Sequence, residues 1–67
     1  MRIRELRKAR RITQLKMALD LDMSQNTISR YESGAREPGI AELIRIADYF
    51  RVSIDYLVGR TDDPVMH

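Results

Sequence analysis

Cysteine is missing from these 67 residues, and histidine occurs once, as His67. Disulfides and a cysteine- or histidine-based zinc site, two usual supports of a small domain, are thereby excluded. No metal and no cofactor are expected. A chain of this length is one domain at most and buries a low share of its surface on folding, which leaves regular helix packing or association with another chain to stabilise it. No apolar run approaches the roughly 18 residues of a membrane span, and no signal-peptide pattern opens the chain. The absent cysteine fits a reducing compartment, so the expectation is a cytoplasmic protein without membrane contact.

The net charge of +2 is small, but its signs are unevenly spread. Arg2, Arg4, Arg7, Lys8, Arg10 and Arg11 crowd the first eleven positions against Glu5 alone. From Glu37 onward Glu42, Asp48, Asp55, Asp62 and Asp63 join it, facing Arg45, Arg51 and Arg60. A basic front and an acidic back suggest a polyanion met on one face. The plainer alternative is a solvated charged helix.

Helical periodicity accounts for nearly the whole chain. Ile3, Leu6 and Ala9 recur at helical spacing in a first helix from Arg2 to about Arg10. Thr13 precedes a second periodic run, Gln14 to Leu21, as an N-cap, with Met17, Ala18 and Leu21 on its inner face. Asp22-Met23 connects to Ser24, which caps a third helix through Ser33, with Ile28 and Tyr31 inward and Gly34 as its stop. A loop holding Pro38 leads to a fourth helix from about Ile40 to Phe50, whose stripe is read as Ile40, Leu43, Ile44, Ala47 and Phe50. Ser53 caps a short fifth helix through Val58, stopped by Gly59. Residues 61–67 carry an Asp-Asp-Pro turn signal and are expected to fray as a tail behind a 1–60 domain. Val52-Ser53-Ile54 alternates but is too short for a strand, so the class is all-α.

The informative stretch is Thr13 to Glu32, TQLKMALDLDMSQNTISRYE. Two short helices joined by a tight turn, each opened by a hydroxyl cap and a glutamine, suit a reader of double-stranded DNA. The first would lie across the backbone, its free amides and Gln14 meeting a phosphate. The second would offer its N-terminal residues to base edges in the major groove. Gln25 and Asn26 have side chains that pair bidentately with the N6/N7 edge of adenine. One turn on, Ser29 and Arg30 share the outer face, Arg30 suited to guanine or phosphate, with an intramolecular acid as the rival partner.

These residues, with IRELRKAR, SQNTISRYESG, the proline of REPG and VSIDYLVG, resemble the Cro/repressor-type helix-turn-helix transcriptional regulators, also called the xenobiotic-response-element type. The likeness runs from Ile3 to about Gly59. It implies a compact five-helix, lambda-repressor-like domain with the motif at helices two and three. It also implies that Gln14 contacts phosphate, that Gln25, Asn26 and Arg30 read bases, and that Ser24, Ser33 and Arg36 meet the sugar-phosphate backbone. Arg7 and Glu32 match a structural ion pair, and Ile54, Tyr56 and Leu57 match the end of the fold through which similar proteins dimerise. Three positions depart from the family pattern. Asp22 stands where glycine is usual, Gly39 where a polar cap is usual, and Leu15 and Leu19 occupy solvent-side positions of the second helix.

The function expected is a sequence-specific DNA-binding regulator, a repressor working as a homodimer on a partly palindromic operator. Arg2, Arg4, Arg10 and Arg11 are weaker candidates for phosphate contacts. Leu15 and Leu19 read first as ordinary surface leucines, and second as a contact surface for another protein or for Val65 and Met66 of the tail. Two other functions stay open: an autorepressing antitoxin that binds a protein through that pair, and an interaction module that has lost DNA binding. An enzyme is not expected. No catalytic His-acid or Cys-His set and no glycine-rich phosphate loop is present, and Asp20/Asp22 and Asp62/Asp63 read as exposed acids without a pocket.

Overall fold

Five helices make up the fold: α1 Ile3–Ala9, α2 Gln14–Leu21, α3 Gln25–Ser33, α4 Ile40–Phe50 and α5 Ile54–Val58. This is a computed structural model, and it describes residues 1–65; Met66 and His67, and with them the expected role of Met66, lie outside the described residues. Among the described residues there is no strand, and no helix is long and apolar enough to cross a membrane.

Three helices begin the same way. Thr13 Oγ1 accepts from the Lys16 amide at 3.0 Å, Ser24 Oγ from that of Thr27 at 3.1 Å, and Ser53 Oγ from that of Tyr56 at 3.0 Å. Each bond satisfies one of the free amides of a first helical turn, worth about 1 kcal/mol. Helix α4 starts at Gly39 without such a bond. There Glu42 folds its carboxylate back so far that a side chain at Gly39 would come within 2.7 Å of Oε2. At the other ends, Asp22, Gly34, Arg51 and Gly59 all turn left-handed. Two arginines satisfy last-turn carbonyls from a distance in sequence: Arg45 donates to Leu21 O, and Arg10 donates to Phe50 O while lying over the Phe50 ring.

The core is built from one to three residues per helix, with Val52 from the link between α4 and α5. Ile3, Met17, Ile28, Ile46, Phe50 and Leu57 are wholly enclosed, with Ala18, Leu21, Tyr31, Ala47 and Val52 packed around them. Burying each of the large ones stabilises the fold by about 1.5–3 kcal/mol. Helix α2 packs chiefly on α3, and α5 on α4.

Four expectations need correction. In α4 the inward positions are Leu43, Ile46, Ala47 and Phe50, whereas Ile40 is 78% and Ile44 45% exposed. Apolar residues cover more than one face of this helix, and packing chooses the side that includes Ile46. Ala9, at the end of α1, is exposed. Leu57 is wholly buried, because five-residue α5 must use it to close the core, so it cannot form a dimer surface. Finally, residues 61–65 lie against the domain rather than extending from it. Ser53 N donates to Pro64 O at 3.2 Å, and Arg2 reaches Thr61 O and Asp62 Oδ1, each at 2.7 Å, while stacked over Tyr56.

Candidate nucleic-acid interface

The α2–α3 hairpin is fixed from three sides. Between the helices, Asp22 takes φ 55° and ψ 45°, a left-handed turn that aspartate adopts more readily than most side chains. Across to α4, the Tyr49 hydroxyl donates to Asp20 Oδ2 at 2.6 Å, and Lys16 Nζ holds both oxygens of the same carboxylate at 2.9 Å. Hydrogen bonds from Tyr49 and Lys16 keep the Asp20 carboxyl below its ordinary range. Burial, together with its bond to Asp20, pushes the Tyr49 phenol up to about 12.

The third tie comes from α1. Arg7 Nε donates to Glu32 Oε2 at 2.6 Å, Nη2 to Glu32 Oε1 at 3.0 Å and Nη1 to Ile12 O at 3.0 Å. The pair is enclosed, with 11% of the Arg7 side chain and 5% of the Glu32 side chain exposed. Burial pushes the Glu32 carboxyl up. Hydrogen bonds from Arg7 and Gln14 and the nearby charges of Arg7 and Arg4 outweigh it, leaving the group below its ordinary value. The hydrogen bond to Glu32 raises Arg7 in turn. Both are therefore charged at neutral pH.

Capped by Thr13 and Ser24, the two helices bring their first residues to one place. Gln14, Gln25, Asn26 and Ser29 line a single shallow concavity open to solvent. Its walls carry amide and hydroxyl groups, each able to donate and accept. Arg30 is exposed beside it and, among the described residues, joins no ion pair, so an intramolecular acid does not claim it. Ser33 and Arg36 are exposed at the far end of α3. There Ser33 Oγ donates to Arg30 O at 3.2 Å and accepts from Ala35 N at 3.3 Å.

The basic front of the sequence is partly spent inside the fold. Arg2 holds the tail, Arg7 holds Glu32 and Arg10 caps α4, leaving Arg4, Lys8 and Arg11 exposed. The bond from Gln14 Nε2 to Glu32 Oε1, at 3.1 Å, was not foreseen. The only sequence signal for it is that Gln25, Ser29 and Glu32 share one face of α3, two turns long.

Elsewhere apolar side chains reach the surface as well. Leu15 and Leu19 are 53% and 72% exposed on α2. Val65 does not cover them, since it lines a cleft with Ser53, Asp55, Thr61 and Asp63. A groove between α4 and α5 is lined by Ile44, Ala47, Asp48, Val52 and Ile54, none of which lines the polar concavity. Among the described residues no group of three or more acidic, cysteine or histidine side chains is arranged to hold a metal ion.

Comparison with known proteins gives the sequence a family and relatives. The profile of the family described as Helix-turn-helix matches residues 3–57. The chain is 35% identical over 63 residues to the uncharacterized HTH-type transcriptional regulator YobD of Bacillus subtilis, covering 94% of this chain and 56% of the relative. It is 41% identical over 59 residues to the cryptic phage CTXphi transcriptional repressor RstR of Vibrio cholerae, covering 88% and 53%. With the HTH-type transcriptional regulator ImmR of Bacillus subtilis it shares 33% identity over 61 residues, covering 91% and 48%. The chain thus spans about half the length of the curated relatives it matches. No solved structure gives a significant match.

Proposed function

Because the chain belongs to the helix-turn-helix family, we propose that it is a sequence-specific, double-stranded DNA-binding regulator of transcription, acting in the cytoplasm as a repressor. The observation that carries this reading is the concavity of Gln14, Gln25, Asn26 and Ser29, where the starts of two helices converge. Helix α3 enters the major groove, with Gln25 and Asn26 on adenine edges and Ser29 and Arg30 one turn behind. Helix α2 crosses the backbone with Gln14 on a phosphate, while Ser24 and Ser33 at the two ends of α3, and Arg36 beyond it, meet further phosphates. No step of this function calls for catalysis.

The active species is a two-fold dimer on a partly palindromic operator, its half-sites roughly 34–36 Å apart. The second copy meets the first at the α4–α5 end. With Leu57 withdrawn into the core, the apolar groups left for that contact are Ile54 and Ile44, which line one groove, with Ile40 a turn away and Tyr56 half-buried nearby. A second reading rests on the exposure of Leu15 and Leu19: a protein partner, as an autorepressing antitoxin would have. Replacing both by serine then abolishes partner capture and leaves DNA affinity unchanged.

The test is selection from a pool of randomised duplexes at two salt concentrations, with wild type and a Gln25→Ala/Asn26→Ala double variant. Wild type is expected to enrich a palindrome, with each good base contact contributing about 1–3 kcal/mol of discrimination. The double variant keeps the salt-dependent phosphate term and loses the sequence preference. Sequence-blind binding that is identical in the two proteins would defeat the reading.

A further inference from the structure

We infer that Glu32, itself fixed by Arg7, is a positioning residue for Gln14, setting which atoms of the Gln14 amide face the DNA. The inference rests on the DNA-binding reading above and assigns a second role to an ion pair whose evident one is to join α1 to α3.

A glutamine side chain at a helix start can present either its oxygen or its nitrogen to solvent, since the two ends of the amide are nearly the same size. A phosphate accepts hydrogen bonds and cannot donate them, so only the nitrogen end is useful there. Glu32 settles the choice. Its ionised carboxylate is acceptor-only, and Gln14 Nε2 lies 3.1 Å from Oε1, so the nitrogen end of the amide is the one held at α3. That nitrogen carries two N–H groups. One is committed to Glu32, and the other remains for a partner beside the concavity that Gln14 shares with Gln25, Asn26 and Ser29.

The carboxylate can serve this way because it is itself immobile. Arg7 grips both of its oxygens at 2.6 and 3.0 Å and is anchored in turn to Ile12 O, and both side chains are nearly enclosed. A chain of four groups therefore runs to the half-buried first residue of α2: the Ile12 carbonyl, Arg7 of α1, Glu32 of α3 and Gln14. A Gln14 without Glu32 would have to be ordered anew at each encounter with DNA, at an entropic cost paid from affinity.

A double-mutant cycle on DNA affinity tests this, with Gln14→Ala made in the wild type and in a Glu32→Gln background. If Glu32 positions Gln14, the loss caused by Gln14→Ala shrinks by at least about threefold in the Glu32→Gln background. Urea unfolding of all four proteins confirms that each is folded in the binding assay. Glu32→Asp, which keeps the charge and the Arg7 pair but withdraws the carboxylate, provides a second background and should reduce the loss in the same direction. Nitrogen-edited spectra of the free wild type should show the two Gln14 Nε2 protons further apart than in a solvated glutamine amide, and Glu32→Asp should narrow the gap to that of a solvated amide. An equal loss from Gln14→Ala in every background, or a Gln14 amide unchanged by Glu32→Asp, overturns the inference and leaves the DNA reading standing. If the wild type shows no salt-dependent affinity for any duplex, the DNA reading falls and takes the inference with it.

Discussion

Glu32 is the residue at which stability and the proposed interface meet, and its ionisation gives the molecule an acid limit. The carboxyl lies below its ordinary value in the folded protein, so the native state binds fewer protons than the unfolded chain, whose glutamate titrates near about 4.3. The contribution of Glu32 is thus complete above that value and is lost as pH falls through the lower, folded value. Chemical denaturation from pH 7 to pH 2 should show this decline in the wild type and a flatter profile in Glu32→Gln. That variant should also be less stable by about 3 kcal/mol at neutral pH, because Arg7 loses its counter-charge in an enclosed site. A Glu32→Gln profile parallel to wild type would mean that another group sets the acid limit. Residue identities at the concavity were legible in the sequence because Gln25 and Asn26 follow a capping serine, and caps are local. The Gln14–Glu32 bond was not, because it joins positions eighteen apart whose approach depends on how α2 lies on α3.

Helix boundaries were the most legible feature, since each is decided within about four residues. Thr13, Ser24 and Ser53 make the cap bonds expected of them, and Gly34 and Gly59 make the expected stops. Side-chain direction in α4 was less legible. Ile44 and Ile46 are equally apolar, and only the placement of α2 and α5 decides that Ile46 turns inward. The helix stops also hold recoverable stability. Arg51 ends α4 at φ 55°, a conformation that costs a residue with a side chain about 1 kcal/mol. Arg51 is exposed, so Arg51→Gly should raise the urea midpoint by an amount equivalent to about 0.5–1 kcal/mol. Gly59→Ala should lower it comparably. The space around the missing Cβ of Gly59 is empty, and its φ of +89° is the whole cost. Midpoints that move the same way in both variants would contradict this account.

At the scale of the whole molecule, the charge asymmetry of the sequence survives folding only in part. Arg2, Arg7 and Arg10 act as internal fasteners, so the positive surface near the concavity comes from Arg30, Arg36 and the exposed remainder of α1. Composition cannot distinguish a fastening arginine from a free one, because the difference lies in which carbonyls and carboxylates the fold brings within reach. The same arginines explain how so small a domain closes without disulfide or metal. They satisfy carbonyls at the ends of α4 and the tail that the short helices cannot satisfy themselves.

Arg2 has a topological consequence as well. Its amide donates to Leu57 O at 2.8 Å while its side chain grips Thr61 and Asp62, so residues near the two ends of the described chain lie side by side. In the direction of its covalent path, the domain is close to a ring. A permuted chain, with residue 65 spliced to Met1 through a short glycine-serine bridge and new ends opened at the exposed Arg36–Glu37 bond, should refold to the same helical spectrum. It should also retain the selectivity of the parent for duplex DNA, because both helices of the hairpin stay in one uninterrupted segment.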